Sequence, residues 1–255
     1  MTRLLASVAD LDELALAAEG GADILDLKDP TAGALGAWAP ERIAEAVALT
    51  RAWPHRPPLS ATVGDLPMAP AVVTARVAET WALGVDFVKI GLAPDGNPDG
   101  DPAACVTALA AQARRGARLV AVLFADLWPD DRLLDDIARA GFSGAMLDTA
   151  GKASGGLLRH KDTGAVARFV DGAHRRGLLT GLAGSLTLAD VPALLPLGPD
   201  YLGFRTALCA GGDRRGVLDP TALAAVRLSI PPDVATVRNP AWTAAGTPSN
   251  RPRPG

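Results

Sequence analysis

Short apolar runs of four to six residues recur along this chain, at 4–8, 23–27, 59–63, 86–90, 119–124, 145–148, 178–182 and 201–204. They lack strict polar alternation, the pattern expected of parallel strands covered on both faces. Between them apolar residues return at helical spacing, as Ile43, Ala46, Val47 and Thr50 do. The helix ends are legible too. Asp10 with Glu13 reads as a capping box, and Pro40 and Pro102 stand at first-turn positions, with Asp101 as the cap before the latter. Gly84, Gly116, Gly141 and Gly177 stop helices directly before strands. The tetrapeptides GGAD at 20–23, LGVD at 83–86 and LGPD at 197–200 each join a helix to a strand, an internal echo of one repeated unit.

Eight strands alternating with helices predict an α/β protein, a (β/α)8 TIM barrel forming a single domain over residues 1–230. The competing fold is a doubly wound open sheet. That fold usually has fewer strands, and no Gly-x-Gly-x-x-Gly follows the first strand here. Residues 231–255 carry no periodic apolar pattern and end in PSNRPRPG, which predicts an irregular Pro-rich tail, extended or disordered.

Composition narrows the function. The 49% hydrophobic fraction supports a large core, and a net charge of −3 with a pI near 5.6 argues against a nucleic-acid partner. Cys105 and Cys209 are too few for a disulfide framework and lack metal-type spacing, while His55, His160 and His174 are scattered. With no Walker loop, nucleophile elbow or dinucleotide fingerprint, neither a metal nor a cofactor is expected. The N-terminus meets acidic residues early, unlike a signal peptide, and no apolar run reaches membrane-spanning length. The expectation is a soluble cytoplasmic protein with no membrane partner.

Only four of the 25 basic side chains are lysine: Lys28, Lys89, Lys152 and Lys161. An ammonium can lose its proton when buried or crowded, whereas a guanidinium stays charged. Three of the four lie at or just past a strand end, in LDLK28, FVK89 and LDTAGK152. Placement in solvated loops is the alternative, and Lys161 reads as an ordinary surface charge.

In a barrel the active site forms at the C-terminal strand ends. Those positions hold Ser7, Asp26, Lys28, Thr62, Asp65, Lys89, Asp126, Asp148, Lys152, Ser185 and Arg205. Asp26 and Lys28 are two apart on one strand and point the same way. A carboxylate beside the amine favours its charged form, while a second ammonium from Lys89 and partial burial favour a neutral one. A neutral amine attacks carbonyls. The alternative is an internal ring of ion pairs among Asp26, Lys28, Lys89 and Asp148.

Two further segments suggest anion binding. LAGSLTLAD at 182–190 offers the amides of Gly184 and Ser185 at an expected helix N-terminus. GFRTALCAGGDRRG at 203–216 offers Gly211, Gly212 and Arg205 or Arg214, and barrels commonly bind phosphate in these two loops. Thr62, Asp65, Gly184, Ser185, Arg205, Gly211 and Gly212 are the expected substrate- and phosphate-binding positions. Residues 29–37, DPTAGALGA, read equally as a lid over the site or as a flexible turn.

Six segments in order, GGADILDLKDPTAGALGA, LSATVGD, DFVKIGL, AMLDTAGK, LAGSL and GFRTALCAGGDR, resemble the (5-formylfuran-3-yl)methyl phosphate synthase family over about residues 3–228. That family makes the furan precursor of methanofuran and methylofuran. The resemblance implies a TIM-barrel lyase condensing two glyceraldehyde 3-phosphate molecules through a lysine Schiff base. It maps the Schiff-base lysine to Lys28, the proton-transfer lysine to Lys89, and the remaining catalytic groups to Asp26, Asp148 and Lys152. It also implies phosphorylated triose substrates and a homo-oligomer. The family's Lys-Asp-Gly reads Lys152-Ala153-Ser154 here, and the Pro-rich tail lies outside the resemblance.

Overall fold

The computed structural model describes residues 1–93, 100–128, 132–151 and 155–230. Its strands are β1 (Arg3–Val8), β2 (Ile24–Leu27), β3 (Leu59–Thr62), β4 (Phe87–Leu92), β5 (Leu119–Phe124), β6 (Gly144–Asp148), β7 (Leu179–Leu182) and β8 (Tyr201–Phe204). All pair in parallel, in chain order, and β8 returns to β1 to close the barrel. The helices are α1 (Leu11–Glu19), α2 (Pro40–Arg51), α3 (Pro70–Ala82), α4 (Pro102–Arg114), α5 (Leu134–Arg139), α6 (Leu157–His160), α7 (Thr163–Arg175), α8 (Val191–Leu194) and α9 (Pro220–Ser229). The expected (β/α)8 barrel is therefore the fold. The expected tail, 231–255, lies outside the described residues.

Alternate strand residues divide between two cores. Leu4, Leu25, Leu59, Val88, Leu119 and Leu202 face the helices, whereas Leu5, Ile24, Phe87, Val120, Leu179 and Tyr201 fill the barrel interior. Gly181 lacks a side chain because the Tyr201 ring occupies that space; a Cβ there would lie 2.2 Å from it. Burial, aided by Asp26 and Asp200, pushes the Tyr201 phenol well above its ordinary pKa and keeps it neutral. The interior is thus apolar at the bottom, and polar groups begin one layer higher.

Helix ends follow the sequence with one exception. Asp10 Oδ1 accepts from the Glu13 amide at 2.8 Å, but the Glu13 carboxylate accepts from Ala9 rather than from Asp10. Asp101 caps α4 through the Ala103 amide. Gly84, Gly116, Gly141 and Gly177 all have positive φ, the conformation that lets the chain leave a helix and turn into a strand.

The repeated tetrapeptide has a physical purpose. Its aspartates, Asp23, Asp86 and Asp200, accept hydrogen bonds from the amides of Leu4, Leu59 and Thr180, at the start of the preceding strand. Each also meets a cationic or imidazole partner: Arg227, Arg56 and His174 respectively. These latches close the N-terminal end of the barrel. Asp86 is buried and holds Arg56 through two oxygens. Asp86→Ala is therefore expected to cost about 3 kcal/mol of unfolding free energy, because it strands a half-buried guanidinium and an amide. Urea denaturation measures this, and a loss under about 1 kcal/mol would show that the latch does not carry the fold.

Candidate active site

Above the apolar floor, Asp26 sits in one row with its register partners, Ser7 on β1 and Ser60 on β3. Both hydroxyls donate to it, Ser7 Oγ to Oδ2 at 3.0 Å and Ser60 Oγ to Oδ1 at 2.5 Å. Lys89 Nζ of β4 adds an ion pair to Oδ2 at 2.8 Å. The carboxylate is wholly enclosed, and the three donors supply what water would otherwise provide. Lys28, two residues farther along at the end of β2, stands one pleat nearer the mouth. Its Nζ meets Asp148 Oδ2 of β6 at 3.3 Å, and Asp148 Oδ1 is held by the Thr149 amide at 2.7 Å.

This pairing corrects one expectation. Asp26 does not hold Lys28; it holds Lys89, and Asp148 takes Lys28. The four groups form two separate ion pairs, neither a ring nor a couple on one strand. The long Lys28–Asp148 contact binds its ammonium less firmly than the 2.8 Å contact binds Lys89. Lys28 is 7% exposed and Lys89 2%, yet both line one cavity at the barrel mouth. Asp148, Ser7 and Met146 share its wall, whereas Asp26 lies behind it.

The opposite wall comes from β7, β8 and the loops after them. Gly184 and Ser185 line the cavity at φ of 103° and 49°, and Ser185 is the one non-glycine with positive φ among the described residues. A left-handed serine is strained, so its surroundings must fix it. Among the described residues, the amides of Gly184, Ser185 and Thr206 have no acceptor. Arg214 reaches in beside them, its Nη2 donating to Gly33 O at 3.2 Å. Burial pulls the Arg214 guanidinium below its ordinary pKa, against the opposing attraction of Asp148.

Several expected binding positions have other occupations. Arg205 lines the cavity but has no donor to spare. Its Nε donates to Arg214 O, Nη1 to Ser7 O and Glu13 Oε2, and Nη2 to Glu13 Oε1 and Gly216 O. Gly211 and Gly212 form an exposed turn with positive φ and do not line the mouth. After β7 the helical stretch begins only at Leu188 and holds the single α turn α8 between two 3-10 turns, and Asp190 already accepts from the Thr187 amide at its start. Gly184 and Ser185 therefore present amides from a strained loop, with no helix terminus behind them.

Thr62 and Asp65 serve residues 29–37. Thr62 Oγ1 donates to Gly36 O at 2.9 Å, and Asp65 accepts from the amides of Ala34 and Leu35. Leu35 is fully buried, in a space that a Cβ on Gly91 would invade at 2.7 Å. The segment is thereby pinned at both its backbone and its Leu35 anchor, which a freely flexible turn would not be. Asp126 accepts from the amides of Ala150 and Gly151, which outweigh its partial burial and lower its pKa. Lys161, read as a plain surface charge, donates to Trp128 O at 2.6 Å. Lys152 lies outside the described residues.

Sequence reasoning overlooked Ser60 and Thr206. Ser60 had a readable signal: it is the inward position two residues before Thr62, level with Asp26 across the sheet. Thr206 had none, because it follows a strand in an irregular turn.

Known proteins resemble this chain in sequence and in fold. The family model described as 4-HFC-P synthase matches residues 4–227. A relative from Methylorubrum extorquens is 43% identical over 225 residues, covering 87% of this chain and 89% of its own. A (5-formylfuran-3-yl)methyl phosphate synthase of Methanococcus maripaludis is 36% identical over 218 residues, covering 83% of this chain and 91% of its own. Among solved structures, 3-hexulose-6-phosphate synthase from Salmonella typhimurium superposes with a TM-score of 0.59 at 16% identity, covering 89% of this chain and 99% of that one, a likeness of fold alone.

Proposed function

This chain belongs to the 4-HFC-P synthase family, a family of enzymes, and on that premise we propose that it condenses two molecules of glyceraldehyde 3-phosphate. The product is 4-(hydroxymethyl)-2-furancarboxaldehyde phosphate, with phosphate and water released. Lys28 is the nucleophile. In its neutral form it attacks the carbonyl of a triose phosphate, and loss of water gives the iminium. The iminium withdraws electrons from the neighbouring carbon, whose proton then leaves to a base, and the resulting enamine attacks the aldehyde of a second triose. Ring closure, the eliminations that follow and the final hydrolysis of the imine, which takes up one water and returns Lys28 as a free amine, need an acid and a base at fixed positions. Lys89, oriented by Asp26, carries protons on one side of the cavity, and Asp148 does so beside Lys28.

The observation that carries this reading is the convergence of Lys28 and Lys89, two of only four lysines, on one cavity at the barrel mouth, each with its own carboxylate. The Gly184, Ser185 and Thr206 amides with the Arg214 guanidinium are the natural grip for one substrate phosphate. Leu5, Met146 and Phe204 supply the apolar part of the cavity wall.

Incubation with glyceraldehyde 3-phosphate alone is expected to release phosphate and to produce furan absorbance together. Borohydride added during turnover is expected to leave one reduced triose adduct on Lys28, seen by peptide mass spectrometry. An adduct without furan would assign the site to another Schiff-base aldol reaction. Absence of any adduct would end the covalent reading.

A further inference from the structure

Glu13 is an acidic residue in the first turn of α1, buried to 5% exposure. Its carboxylate and the Arg205 guanidinium form an ion pair whose side chains are 6% and 9% exposed. Burying such a pair costs more than its attraction returns unless further hydrogen bonds complete it. Two of the completing bonds, to Ser7 O and from the Ala9 amide, tie the pair to the end of β1, and the other three go to one stretch of chain. Arg205 donates to Arg214 O at 2.8 Å and to Gly216 O at 2.7 Å, and Glu13 Oε1 accepts from the Leu218 amide at 3.0 Å. The pair therefore grips the backbone at 214, 216 and 218, the stretch that bears Arg214, which lines the mouth.

We propose that Glu13 and Arg205 are positioning residues that hold this loop so that Arg214 meets the substrate phosphate at a fixed height in the cavity. The inference rests on the reading, given above, that Arg214 grips a phosphate. Arg214 contacts the rest of the mouth through Gly33 O at 3.2 Å, a single bond that cannot by itself fix a long side chain. Without the clamp, an arginine between the bridged residues Cys209 and Leu218 would have to be ordered by the ligand, and that ordering would be subtracted from affinity. With it, the guanidinium is already in place. A pair that merely joined α1 to β8 would have no reason to direct its bonds to residues 214–218.

Arg205→Lys keeps the charge beside Glu13 but removes the Nε bond to Arg214 O and the forked geometry. It is expected to raise both the KM for glyceraldehyde 3-phosphate and the Kd for inorganic phosphate about tenfold, with kcat changed by less than about threefold. Glu13→Gln combined with Arg205→Met removes the charges together, leaves no orphaned ion, and should reproduce the effect. The decisive measurement repeats Arg205→Lys in an Arg214→Met background. If the clamp acts through Arg214, the second loss should vanish there. Persistence of the full effect would overturn the positioning role while leaving the phosphate reading intact. Unchanged phosphate binding in Arg214→Met alone would overturn both, and is thereby distinguishable.

Discussion

Lys28→Arg is expected to abolish furan formation, with kcat reduced by at least about 10⁴-fold and the barrel intact. The reasoning is chemical. Arginine preserves a cation opposite Asp148, so the ion pair at the end of β2 survives and the fold has little cause to change. A guanidinium does not give up its proton under these conditions and cannot form an iminium. Charge and covalency are thereby separated in one substitution. If the amine only neutralised Asp148 or attracted phosphate, arginine would serve nearly as well, and activity within about tenfold of the parent would sink the Schiff-base mechanism. The borohydride adduct should disappear with the activity. Circular dichroism and the thermal midpoint, both unchanged, would show that the loss belongs to the chemistry.

How far the chain could be read in advance depended on the distance over which each feature is decided. Strands were legible because a parallel strand covered on both faces must be apolar throughout, so β1 and β5 begin or end within a residue of the expected runs. Helix stops were legible because glycine alone enters the left-handed region cheaply. That Lys28 and Lys89 share a cavity also followed, once the strand ends were placed. Which carboxylate meets which ammonium did not follow. Asp26 lies two residues from Lys28 in sequence, yet the stagger of a closed barrel brings it to Lys89, and stagger is a property of all eight strands together. Arg205 illustrates the same limit. Its position after β8 suggested phosphate binding, but Glu13, 192 residues earlier, occupies it. The expected helix N-terminus at Gly184 and Ser185 did not form there, because the first helical turn begins only at Leu188, with Thr187 as its cap.

The second large effect belongs to Asp26. Asp26→Asn is expected to lower unfolding free energy by about 3–5 kcal/mol, because it leaves the Lys89 ammonium buried without a counter-charge. For a barrel of this size that corresponds to a fall of roughly 10 °C in thermal midpoint. Lys89 is 2% exposed, with the apolar groups of Leu5, Ile24, Phe87 and Tyr201 beneath it, so its buried side offers no replacement counter-charge. Adding Lys89→Met to Asp26→Asn should restore most of the stability, since a neutral pair of similar volume avoids the desolvation that the ion pair had to offset. It should not restore turnover, which is expected to stay about 10²- to 10⁴-fold down for want of the proton carrier. The two readouts must therefore part company. A double variant that regained activity along with its fold would mean that Lys89 and Asp26 only prop the barrel open. A double variant that folds and fails identifies them as the side of the cavity where protons move.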